Sequence, residues 1–131
     1  MKNALIVIIL SSLFAAGNVQ AAGDIPQEKE VVVSLSDAYV PGGFDSNSDS
    51  YVIANGLFPN GCYRWKRAEV SHNGNIHEIK SVASVSQGMC IMVLVPFTKE
   101  VRLGKLDAGN HTVRFVNGDG TFMEKQLVIE E

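Results

Sequence analysis

Past residue 30 the apolar positions show no helical period; the chain reads as short extended runs separated by turn residues. Glu30 to Val40 (EVVVSLSDAYV) is rich in β-branched residues and predicts a first strand. Pro41-Gly42-Gly43 stops it, Phe44 to Ser50 reads as a polar loop, and Tyr51 to Ala54 resumes an extended pattern. Phe58-Pro59-Asn60-Gly61 predicts a turn, because Pro presets φ and Asn-Gly tolerates positive φ. Cys62 to Ser71 alternates in part between large apolar and charged residues, and Asn73-Gly74 predicts a tight hairpin. Ile76 to Val85 then returns with Ile79, Ala83 and Val85 on one face. Cys90 to Val95 (CIMVLV) is almost continuously apolar and predicts a buried strand that Pro96 ends. Val101 to Leu103, His111 to Val116 and Phe122 to Ile129 complete the series. This spacing predicts an all-β fold, an immunoglobulin-like two-sheet antiparallel β-sandwich of about seven to eight strands.

The N-terminus has a different pattern. A short positive start, Met1-Lys2-Asn3, precedes the uncharged run from Ala4 to Ala16. A membrane span needs about 20 apolar residues; this shorter run suits the core of a secretory signal. Small residues at Val19 and Ala21 predict cleavage after Ala21. The expected organisation is a signal peptide at 1–21, a leader at 22–29 and a sandwich domain at 30–131, with no membrane span after processing. Removing the first 21 of the 131 residues leaves 110 and, with the loss of Lys2, moves the net charge from −3 to −4. That acidity argues against a general nucleic-acid binder, which normally carries a basic patch. The expected location is the periplasm or the extracellular medium.

Export changes how the two cysteines read. An oxidising compartment favours a bridge between Cys62 and Cys90, closing a loop worth roughly 3–4 kcal/mol in the chain-entropy account. A redox pair would more often be spaced Cys-x-x-Cys.

Candidate chemistry is sparse. Asp45-x-Asn47-x-Asp49 resembles the start of an oxygen-ligand calcium loop, in which alternate side chains converge on one ion. Ser50 and Gly56 stand where the helix–loop–helix motif needs glycine and an acid, so only a looser calcium site is open to this segment. The plainer reading is a loop whose side chains satisfy its own backbone. His72 and His77 flank the Asn73-Gly74 turn and could meet across a hairpin, where two imidazoles would suit zinc or copper but fall short of a stable ligand set. The favoured reading places these histidines on the surface. In Tyr63-Arg64-Trp65-Lys66-Arg67, period-two geometry buries Tyr63 and Trp65 and solvates Arg64 and Lys66. No nucleophile elbow, phosphate loop or zinc-protease motif occurs, and no catalytic residue is assigned.

From Tyr39 onward the chain resembles a group of small secreted bacterial β-sandwich proteins of unknown function. Gly43-Phe44-Asp45-x-Asn47-x-Asp49, Phe58-Pro59-Asn60-x-Cys62-Tyr63, Val95-Pro96-Phe97 and Leu103-Gly104-x-Leu106-x-x-Gly109 carry that resemblance. It implies a bacterial periplasmic or extracellular protein and brings no catalytic residues with it. Leu106-x-x-Gly109-x-His111 also resembles the turn before a late strand in secreted β-sandwiches, where an aromatic residue anchors the corner by a hydrogen bond. His111 stands in that place and reads as a corner residue rather than a ligand.

The expected function is a non-catalytic exported module that binds a protein or glycan partner of the envelope or extracellular space. One alternative is a calcium-dependent binding domain centred on Asp45, Asn47 and Asp49. Another is a secreted hydrolase or protease inhibitor.

Overall fold

A computed structural model describes residues 28–131; the expected signal peptide and most of the leader lie outside the described residues. The described chain is all-β, with nine strands: β1 (Lys29–Val33), β2 (Asp37–Tyr39), β3 (Phe44–Asp45), β4 (Ser50–Phe58), β5 (Tyr63–Asn73), β6 (Ile76–Val85), β7 (Val95–Gly104), β8 (Gly109–Val116) and β9 (Phe122–Glu130). They form two facing sheets, the predicted sandwich. The larger is six-stranded in the order β1-β6-β8-β9-β3, with β5 on the other side of β6, and the smaller is β2-β4-β7. Most pairings are antiparallel; β6–β8 and β3–β9 run parallel. No helix among the described residues is long and apolar enough to cross a membrane.

β6 holds the larger sheet together. It pairs with β5 along its whole length, while its other edge is shared by β8 at Ile76–Lys80 and β1 at Ser81–Val85. Alternation then sorts its side chains. Ile79 and Ala83 face the interior, where Ile79 joins Val113, Phe115 and Leu127 beneath Val52, Val101 and Leu103 of the smaller sheet. A second core cluster is aromatic: Phe58 stacks on Phe97 with ring centroids 4.3 Å apart, and Trp65 and Tyr63 pack around them. Gly56 lies opposite Phe97 in the β4–β7 register, and any Cβ there would strike the Phe97 ring. Absence of a side chain at that position lets the aromatic ring cover the strand.

Several expectations need correction. The run Glu30–Val40 is not one strand: it divides into β1 and β2, which belong to different sheets. The crossing at Ser34–Ser36 is held by Asn117 Oδ1, which accepts from Leu35 N–H at 3.2 Å, and by Asn55 O, which accepts from Ser36 N–H at 2.9 Å. Pro96 does not end a strand but sits within β7. β7 is the edge of its sheet, where a missing N–H need not break a ladder. Cys90–Leu94 is not a buried strand but an irregular exposed loop. The hairpin turn is Gly74-Asn75 rather than Asn73-Gly74, since Asn73 pairs with Ile76 and Gly74 takes φ +60°. A positive φ at the first turn position is what a tight II′ hairpin requires.

Tyr63 and Trp65 are half-buried, and Arg64 and Lys66 are exposed, as period two predicts. A register shift between Trp65 and Arg67 makes β5 bulge at Lys66. The bulge turns two consecutive cations onto one carboxylate across β6: Lys66 Nζ lies 2.7 Å and Arg67 Nη2 2.8 Å from Glu30. Hydrogen bonds from Arg67, then Lys66, hold the Glu30 carboxyl well below its ordinary range, at about 2. Because the folded form favours the carboxylate, the stabilisation is present above the unfolded value near 4.5 and is lost as pH falls towards 2. Thermal melts should therefore show wild type above Glu30→Gln at neutral pH, with the two midpoints converging between pH 4.5 and 2. Convergence already complete at pH 6 would count against the pairing. A separate expectation concerns Ser81, whose buried hydroxyl has no hydrogen-bond partner among the described residues. Ser81→Ala should stabilise the fold by about 1 kcal/mol in urea unfolding.

Candidate functional site

Two features stand out, at opposite ends of β5. One is a row of histidines near its C-terminal end; the other is an apolar loop bridged to the residue just before it. Nine residue steps separate Tyr63 from His72, roughly 30 Å of extended chain.

The histidine row arises from pairing and phase. His72 and His77 are directly opposed across the β5–β6 hairpin, so they share a face. His77 is in phase with Ile79 and Ala83, and His111 with Val113 and Phe115, so this is the core-facing side. His77 and His111 are buried, only 2% and 4% exposed, and only His72 reaches the surface. The expected surface placement of the hairpin pair is thus wrong for His77, because its strand's alternation places it with the core residues. The β7–β8 connection closes the end of the row. Leu103, Lys105, Leu106 and Asp107 line an open cavity of about 200 Å³ together with the three rings.

The rings form one directed chain of hydrogen bonds. His72 Nδ1 is 2.6 Å from His77 Nδ1, His77 Nε2 is 2.9 Å from His111 Nδ1, and His111 Nε2 is 2.7 Å from the Asp107 carbonyl oxygen. A carbonyl only accepts, so His111 Nε2 carries its proton and donates. In the neutral ring His111 Nδ1 then accepts, and His77 Nε2–H donates to it. His77 Nδ1 is left as a lone pair that accepts from His72 Nδ1–H. Burial, then the neighbouring His72 and His111, push the His77 pKa down to about 4, so this middle ring is neutral at pH 7. His111 makes the corner bond its position before the strand suggested: its partner carbonyl lies four residues upstream.

The calcium candidates lie elsewhere and engage different partners. Asp45 Oδ1 accepts from Asn47 N–H at 2.9 Å and from the Ser48 hydroxyl at 3.0 Å, the side-chain turn of a self-satisfied loop. Those bonds, the backbone one first, hold the Asp45 carboxyl below its usual range. Asp49 reaches across to Arg102 on β7, Oδ2 to Nη1 3.2 Å. Among the described residues no three His, Cys, Asp or Glu side chains are grouped to hold a metal ion.

At the other end, the Cys62–Cys90 disulfide is formed, with its Cα atoms 5.3 Å apart. It does not tie two strands, as their apparent positions at strand starts implied; it fastens the β4–β5 turn to the β6–β7 loop. Backbone bonds from Gly61 N–H to Ile91 O and from Ser86 N–H to Cys62 O hold the same flank. The loop itself points outward: Met89, Ile91, Met92, Val93 and Leu94 are all exposed, Met92 by 80% and Ile91 by 73%. No charged residue occurs from Ser86 to Phe97. Beside its base an apolar cleft of about 310 Å³ opens between Val31 and Val33 on one sheet and Leu57, Pro59 and Tyr63. Continuous apolarity was legible in the sequence; exposure was not.

The family model of the ORF11 beta-sandwich domain matches residues 52–125, more than half of the chain and a span that contains the three histidines, both cysteines and the apolar loop. No curated protein and no solved structure matches the chain.

The hydrogen-bond chain has a direct readout. Long-range proton–nitrogen NMR at pH 7 should show His111 and His77 as Nε2–H tautomers and His72 as Nδ1–H. An Nδ1–H signal from His111 would break the chain at its anchor.

Proposed function

The chain belongs to the ORF11 beta-sandwich domain family, and from that premise we propose that it is an exported, non-catalytic module that docks on a protein of the cell envelope or extracellular medium. One observation carries this reading: the disulfide-fastened loop that exposes Met89 and Ile91 to Leu94 without a single charge. Apolar side chains that a fold holds in water by covalent and hydrogen-bonded anchors mark an interaction surface. Methionines at two of those positions suit a surface that adapts to its partner. The apolar cleft at the loop's base offers a complementary pocket for a partner's side chain.

Export supports the same reading from two sides. The N-terminal run has the layout of a secretory signal, and the one disulfide suits an oxidising compartment. The resemblance to small secreted bacterial proteins points to the periplasm or beyond. A non-catalytic role accords with a sequence that contains no recognisable nucleophile motif.

The test is photo-crosslinking from position 93 of the full, oxidised chain in its own envelope and secreted fractions, with Ile91→Asp/Met92→Asp as the comparison. The expected result is one reproducible protein adduct that the double variant reduces by at least about tenfold, the scale of losing an interface anchor. Equal adducts from both chains, no adduct at all, or binding to protein-free lipid vesicles in its place would each overturn the reading. The variant changes only exposed residues, so its melting curve should match wild type.

A further inference from the structure

We propose that the facing rings of His72 and His77 form a binding site for a divalent transition cation of the copper–zinc end of the series, with His111 as its positioning residue. The inference is independent of the docking reading, since the site lies at the far end of β5 and uses none of the loop.

Ligand type comes first. Imidazole nitrogen suits copper(II), zinc and nickel, whereas the hard cations prefer oxygen. His72 and His77 present two such nitrogens on one face of one hairpin, 2.6 Å apart. Metal–nitrogen bonds of about 2.0–2.1 Å separate two ligand atoms by about 2.9 Å at the right angle of a tetragonal copper(II) site and by about 3.3 Å in a tetrahedral zinc site. The pair therefore opens by about 0.3 Å for copper(II) or about 0.7 Å for zinc, and the nitrogens that face each other in the hydrogen bond turn towards a cation beside their line. His72 is the exposed member, so a change of its side-chain rotamer supplies that movement while His77 stays in place.

The surroundings of His77 are those of a ligand already oriented. A metal-bound histidine characteristically donates its other ring N–H to a fixed acceptor, which sets its tautomer and raises its basicity. His77 Nε2–H donates to His111 Nδ1, and His111 is locked in turn by the Asp107 carbonyl. The lone pair on His77 Nδ1 is thus imposed by a backbone oxygen two bonds of the chain away.

Binding balances simply. His72 moves its ring proton from Nδ1 to Nε2 through solvent, and the cation takes the two Nδ1 lone pairs without net proton release from the neutral rings. The other coordination positions open onto the cavity of about 200 Å³, where water or a small exogenous ligand completes the sphere. With two protein ligands the site is open, of the kind that exchanges its cation rather than one that holds the fold together.

The decisive experiment titrates the oxidised, metal-free full chain with copper(II) in a non-coordinating sulfonate buffer at pH 7, read by electron paramagnetic resonance. Wild type should bind one equivalent with nitrogen hyperfine structure, zinc should compete for the same site only in large excess, and calcium should not compete at all. His72→Gln, an exposed change, should abolish the signal, and His111→Gln should weaken affinity about 10–100-fold. Absence of binding in wild type, or a wild-type signal in His72→Gln, overturns the site. Should His111→Gln not fold, zinc titration of wild type by nitrogen NMR replaces it. The Nδ1 resonances of His72 and His77 should then shift while His111 keeps its Nε2–H tautomer. Loss of that tautomer on zinc binding overturns the positioning role.

Discussion

The structure depends on one strand being hydrogen-bonded along both edges. β6 pairs with β5 for its full length and divides its other edge between β8 and β1. A strand saturated in this way has no freedom of register, because a slip of one residue would turn Ile79 and Ala83 outward and every partner with them. The parallel β8 must then arrive at Ile76–Lys80 with His111, Val113 and Phe115 inward, and the whole interior follows from that phase. The Glu30 ion pairs reinforce the same arrangement from outside, since they join β1 to β5 across β6.

The histidine row is the polar end of that interior. Two imidazoles buried in a sandwich core would be costly if any of their nitrogens lacked a partner. Here each buried donor meets an acceptor, and the chain ends on a carbonyl that fixes its direction. The same satisfaction that makes the row tolerable also makes it chemically specific. A neutral, oriented lone pair beneath an exposed second imidazole is a consequence of how the core is closed. Structure and candidate chemistry are therefore one arrangement.

At the opposite end the constraint is a shortage of strands. β4 pairs with β7 only as far as Phe58 against Val95, so Ile91 to Leu94 have no neighbour to extend the smaller sheet. The disulfide and two backbone bonds then hold the segment at the rim instead of letting it fold inward. Below it the aromatic cluster of Phe58, Phe97 and Trp65 already fills the space. The apolar loop is left facing water, and contact with another protein is the proposed resolution of that exposure.

Much of this was legible in the sequence, for local reasons. Period-two alternation placed β6 at Ile76–Val85 to the residue, the Tyr63 and Trp65 side chains inside and the hairpin near Asn73. The cysteine pair followed from number and compartment. The same alternation also put His77 in phase with Ile79, and His111 with Val113, a signal that outweighs the habit of placing histidine at the surface. Contacts between distant segments were beyond its reach. Nothing local tells Glu30–Val40 that Asn117 and Asn55 will hold it at a crossing between two sheets. Nothing in CIMVLV says whether a neighbouring strand will be there to bury it. What the chain by itself determined was which residues are extended and which face each side chain takes, because those depend on the backbone repeat. Which faces meet, and which apolar run is left outside, only the tertiary structure decided, because burial is settled by how many partners the assembled sheets provide.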